Sequence, residues 1–187
     1  PDGTLSRPRP HPVSVWVDDL YMSVPFLAQM GDLTGESKYF DDAAKQVDEL
    51  MKLAPDDSRV HLLRARVLIQ KGDQAGGLAE IATALKLDPD NVDAILLQAA
   101  ADALEDVDKG LAALDTAIKR LPQDKSRQLR ELQVIMLAQG KRMNEVEVGL
   151  RSLSEDFPDE QAYQIQLAQF YTSQGRVEEA DKMLKKF

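Results

Sequence analysis

The stretch SRVHLLRARVLIQKGDQAGGLAEIATALKLDPDN, residues 58–91, reads as two amphipathic helices separated by punctuation. Apolar residues recur at helical spacing to about Lys71, and Gly72 then permits a tight turn. A second helix runs to about Leu87, and Pro89 stops it and sets the approach of the next segment. Ala65 and Gly77 are small residues, one in each helix, and Leu68, Ile81 and Ala84 are expected to fill the core beside them. One hairpin cannot cover its own apolar stripe, so neighbours must stack on it.

The same punctuation returns on both sides of this stretch. Pro55, Pro89, Pro122 and Pro158 each follow an amphipathic stretch, at spacings of 89 − 55 = 34, 122 − 89 = 33 and 158 − 122 = 36. Glycines give a second register: 140 − 72 = 68, twice 34, and 175 − 140 = 35. Residues 92–124 repeat the scheme with Ala99, Gly110, Leu114, Ala117 and Pro122, and Glu105-Asp106-Val107-Asp108 replaces the glycine turn. Residues 125–158 are the weakest copy, keeping Gly140 but placing Val146 where a small residue is expected. Residues 159–187 match sharply through Leu167, Ala168, Tyr171, Gly175, Ala180 and Leu184, and stop at Phe187 before a proline of their own.

A period near 34 with two helices per period resembles the tetratricopeptide repeat (TPR) family over about residues 47–187. The resemblance implies an all-α fold, a right-handed α-solenoid of antiparallel helix hairpins forming a TPR-like superhelix. It also implies a scaffold that binds a peptide or helix of a partner protein in a groove. In the family's geometry Arg59, Leu62, Leu63, Arg66 and Ile69 face that concave groove. The carboxylate clamp that some relatives use for chaperone tails needs Asn and Lys where this chain has Leu62, Arg66 and Leu97, so that ligand is not expected. The uncapped last hairpin leaves self-association open.

Composition narrows the function classes. Of 187 residues, 23 are Lys or Arg and 32 are Asp or Glu, a net charge of −9. That field repels phosphate backbones and anionic lipid, which argues against nucleic-acid or membrane-surface binding. No apolar run approaches the ~20 residues of a membrane span, so the chain reads as soluble. There is no cysteine, and His11 and His61 stand 50 residues apart without ligand-like partners, so neither a metal nor a cofactor is expected.

The first fifty residues differ. Residues 1–13 are proline-rich and read as extended chain. A helix is expected from about Ser14–Asp18 to Gly31, and a second from Ser37, carrying Tyr39, Phe40, Ala43, Val47 and Leu50 inward. The words WVDDLYMSVPFLA (16–28) and TGESKYFDDA (34–43) resemble the unsaturated rhamnogalacturonyl hydrolases over about residues 1–46. Those enzymes are six-hairpin (α/α) barrels acting on unsaturated uronic disaccharides, and the resemblance puts a catalytic aspartate at Asp18. Read as a plain residue, Asp18 is a helix-start carboxylate favoured by the N-terminal dipole. From Val47 the sequence follows the repeat, and the other five hairpins of such a barrel are absent. The organisation expected is an extended segment (1–13), a hydrolase-like hairpin (14–57) and TPR-like repeats (58–91, 92–124, 125–158 and 159–187). Two functions are carried forward: an interaction scaffold, and a fragment or fusion related to the uronyl hydrolases.

Overall fold

A computed structural model of the chain describes residues 17–184, with side chains from Met22 onward. The proline-rich residues 1–13 and the terminal Phe187 lie outside the described residues. Those described form α1 (Val17–Thr34), α2 (Ser37–Leu53), α3 (Ser58–Gln70), α4 (Gln74–Leu87), α5 (Val92–Glu105), α6 (Val107–Arg120), α7 (Gln123–Gln139), α8 (Met143–Asp156), α9 (Gln161–Ser173) and α10 (Val177–Leu184). The chain divides into two compact units, residues 1–94 and 95–187, with the division inside α5.

In the first unit α1 pairs with α2 and α3 with α4. Val24, Ala43, Val47, Leu50, Val60, Leu63 and Val67 form one core, with Leu27, Ala44, Met51 and Ala54 packed against it. Ser23 and Gln46 hydrogen-bond across the α1–α2 hairpin, satisfying two buried polar groups that the core would otherwise strand. α1 runs to Thr34, three residues past the expected end at Gly31. Gly31 is a packing residue instead: a Cβ there would lie 2.5 Å from the ring of Phe40. The turn belongs to Gly35, at φ 68°.

The second unit pairs α7 with α8 and α9 with α10. Its core includes Leu111, Leu114, Ala117, Leu129, Leu150, Leu153, Leu167, Ala168 and Ala180, all buried. α5 and α6 cross where Gly110 meets Ala99: a Cβ on Gly110 would sit 2.6 Å from the Ala99 carbonyl oxygen. Only residue 106 separates these helices, and Asp106 replaces the glycine turn by accepting the Asp108 N–H at 2.9 Å. The α7–α8 hairpin shows how the weakest copy works. Val146 is buried in the slot of the small residue, and the close approach moves one turn on to Gly149, whose Cβ would lie 2.6 Å from Val134 Cγ2.

Helix ends carry a further correction to the glycine register. Gly72 and Gly175 hold the left-handed position at φ 88° and 74°, each one residue after the C-cap. At α7 the C-cap is Gly140 itself at φ −75°, and Lys141 takes the left-handed position at φ 57°. The hydrogen bonds are the same in all three: Asp73, Arg142 and Arg176 donate back to Leu68, Leu137 and Tyr171, each at 2.9 Å. This closure demands a left-handed residue at a fixed slot, and the glycine stands one place early.

Candidate functional site

α3 begins at the Asp57 N-cap, whose carboxylate accepts the Arg59 N–H at 2.9 Å. The same carboxylate receives the Arg59 guanidinium at 3.1 Å and 2.7 Å. Arg66 stands seven residues on, within about 20° of the same direction at 100° per residue. Arg66 lies 3.7 Å from Asp93 and its side chain stays 46% exposed. The Arg59 side chain is 69% exposed, and exposed ion pairs of this kind add little stability. Leu62 and Leu63, expected beside them, are buried at 5% and 7% exposure, and Ile69 is half-buried against Gly77. Of the five expected groove residues, the two arginines and part of Ile69 reach the surface.

Beneath this face lies a cluster that the sequence reading missed. His61 Nε2 donates to the Pro55 carbonyl at 2.9 Å, and Nδ1 lies 2.6 Å from Glu80 Oε2. Arg64 reaches the other Glu80 oxygen at 3.3 Å. The histidine, 7% exposed, ties the α2–α3 turn to α4. The repeat register carries the signal for it. Gln164 stands 164 − 61 = 103 residues on, and Pro158 stands 158 − 55 = 103 after Pro55. Gln164 Nε2 donates to the Pro158 carbonyl at 3.0 Å, the same clasp in another hairpin.

The second unit has its own polar networks. Arg127 donates to Tyr163 Oη at 2.6 Å and to Glu160 at 2.9 Å. Burial, then the hydrogen bond with Glu131, pushes the Tyr163 hydroxyl pKa up. The Arg176 hydrogen bond holds the Glu147 carboxyl below the usual carboxylate range, and Arg151 reinforces it. Between α8, α9 and α10 lies a cavity of about 490 Å³ lined by Gln164, Leu167, Tyr171 and Met183 among others.

Asp18 is the second residue of α1, and its side chain lies outside those described. His11 also lies outside the described residues. Among the described residues, no group of three His, Cys, Asp or Glu side chains could hold a metal ion. No helix there is long and apolar enough to cross a membrane.

The sequence profile described as Glycosyl Hydrolase Family 88 matches residues 1–78. That match runs 78 − 46 = 32 residues beyond the hydrolase-like words, through α3 and into α4. Both architectures stack antiparallel hairpins, so one stretch of small and apolar residues can satisfy either. No protein of curated function matches the chain. A solved MamA structure superposes at TM-score 0.57 and 15% identity, covering 90% of each chain. MamA (41-end) from Desulfovibrio magneticus RS-1 gives 0.58 at 15%, covering 90% of this chain and 93% of that one. A structure of Naa15/Naa10 bound to HypK-THB gives 0.64 at 17%, covering 91% of this chain but 24% of the other. The chain has the all-α, tetratricopeptide-like helix-hairpin fold, and its first 78 residues carry a glycoside hydrolase family signature.

Proposed function

We propose that the chain is a protein-interaction scaffold that holds a peptide or helix of a partner protein against the exposed face of α3. The observation that carries this is the pair Arg59 and Arg66, two turns apart on one face of α3, over a floor of buried Leu62 and Leu63. Guanidinia positioned over a rigid apolar layer suit a partner with carboxylates two helical turns apart. The likeness in fold to the Naa15 chain, solved with HypK-THB bound to its complex, is consistent with that role. The test is affinity capture from the source organism's lysate with wild type and an Arg59→Glu/Arg66→Glu double variant. A partner retained by the wild type and lost by the double variant supports the assignment; retention by both removes α3 from the interface.

A second reading is favoured by the family signature over residues 1–78. It makes the chain a relative of enzymes acting on unsaturated uronic disaccharides, with Asp18 as the acid. A general acid at neutral pH needs its pKa raised, through enclosure in a low-dielectric pocket or by a neighbouring carboxylate. We expect no turnover of unsaturated galacturonyl-rhamnose by this chain. Hydrolysis that disappears in Asp18→Asn would establish the enzymatic reading instead.

A further inference from the structure

The clasp shared by His61 and Gln164 is complete in one hairpin and incomplete in the other. Both ring nitrogens of His61 have partners: the Pro55 carbonyl and Glu80. Gln164 uses only its amide nitrogen, and its Oε1 is buried without a partner. The register explains the difference. The residue standing 103 places after Glu80 is Met183, which cannot donate a hydrogen bond. Gln164 is 5% exposed, so a lone acceptor sits in a nearly dry site, an arrangement that buried amides rarely keep.

Gln164 also lines the cavity between α8, α9 and α10, which has the size of a ligand pocket at about 490 Å³. Leu167, Tyr171 and Met183 make its wall apolar. Among the other lining residues Glu155 and Glu179 offset Arg151 and Lys182, so the lining carries no net charge to favour an ionic ligand. The site asks for three things together: a large apolar body, no charge, and one N–H aimed at a buried oxygen. Among protein side chains only tryptophan combines a bulky apolar ring with a donor-only polar atom. Met183 stands on the short helix α10, and its unbranched side chain can swing aside to admit a ring and then pack its sulfur against it.

We infer that this cavity receives a tryptophan side chain of a partner protein, with the indole N–H donating to Gln164 Oε1. The inference rests on the scaffold reading and adds an anchor of the kind that dominates interface energetics. It concerns the unit that does not contain α3, so the two can fail separately.

The probe pair is indole and 1-methylindole, which share the ring but differ in the donor. Affinities are measured by ligand-observed NMR on the full chain. Wild type should bind indole about fivefold to tenfold more tightly, the scale of one hydrogen bond. Gln164→Met should erase that preference while keeping the ring affinity. Met183→Gln, which supplies an internal donor and leaves Gln164 intact, should erase it as well. Equal affinities in wild type, no binding of either probe, or a preference that survives Gln164→Met would each overturn the inference. Should the probes fail while partner capture still depends on Arg59 and Arg66, the scaffold reading stands and the anchor alone is lost.

Discussion

Replacing Gly110 with alanine tests the helix crossing that sets the α5–α6 hairpin. A Cβ there would lie 2.6 Å from the Ala99 carbonyl oxygen, 2.8 Å from the Ala103 Cβ and 3.1 Å from the Ala103 nitrogen. Two of these three atoms are backbone, so no rotamer change relieves them. Ordinary contact begins near 3.4 Å, so the helices must separate by about 3.4 − 2.6 = 0.8 Å. A gap of ~0.5–1 Å forfeits a quarter to a half of a dispersion contact, spread over buried neighbours such as Leu111 and Leu114. Overpacking of this kind costs about 1–3 kcal/mol. Alanine recovers about 1 kcal/mol of helix propensity over glycine. The net expectation is a loss of up to about 2 kcal/mol, or a fall in Tm of up to roughly 8 °C at ~2–4 °C per kcal/mol for a chain of this size. Urea and thermal melts followed by far-UV circular dichroism read it directly. Gly149→Ala is the comparison: its one close neighbour is the Val134 Cγ2 methyl and none is backbone, so the same helix-propensity gain meets a smaller clash and the variant should be more stable than Gly110→Ala. A Gly110→Ala protein more stable than wild type by about 1 kcal/mol, the full helix-propensity gain, would refute the close crossing.

Lys141→Gly should stabilise the chain by up to about 1 kcal/mol, since it removes a side chain from a left-handed position at φ 57°, less the extra entropy of an unfolded glycine; an unchanged or lower urea midpoint counts against the α7 closure described. Asp106→Ala should cost about 1 kcal/mol through loss of the α6 N-cap, with Asp106→Asn close to wild type, measured by the same melts. Glu147→Gln should destabilise at neutral pH by about 1 kcal/mol or less, because Arg176 and Arg151 hydrogen-bond the ionised carboxylate. Its folded pKa is depressed, so the stability it contributes is present above its ordinary 4.5 and is lost as pH falls below that value. The wild-type minus Glu147→Gln difference should therefore shrink in acid, and a difference that grows there would contradict the ion-pair assignment.

Much of the fold could be read from the sequence because its signals are local. A proline that ends a helix, an aspartate that caps one and an alanine at a crossing act through their own backbone, so their spacing survives without knowledge of the packing. Sequence and structure part where neighbours decide. Gly140 and Lys141 are adjacent, and only the hydrogen-bond closure shows which of them takes the left-handed slot. Val146 reads in the sequence as a failed small residue, because the compensating Gly149 is visible only against Val134. The candidate site was less legible still. Arg59 and Arg66 are exposed as the register implies, while the burial of Leu62 and Leu63 reflects neighbouring helices on both sides of α3. The His61–Glu80 pair joins residues 80 − 61 = 19 apart across a hairpin, a separation that carries no helical periodicity. The matching proline clasp at Gln164 was present in the 103-residue register and becomes readable once one member is known.

The most direct test of the scaffold account is a photo-crosslinking residue at position 66, compared with one at the exposed Lys125, in lysate of the source organism. The account predicts one discrete protein adduct from position 66, absent from position 125 and suppressed by Arg59→Glu. Absence of an adduct from position 66, together with turnover of unsaturated galacturonyl-rhamnose by the same preparation, would contradict it.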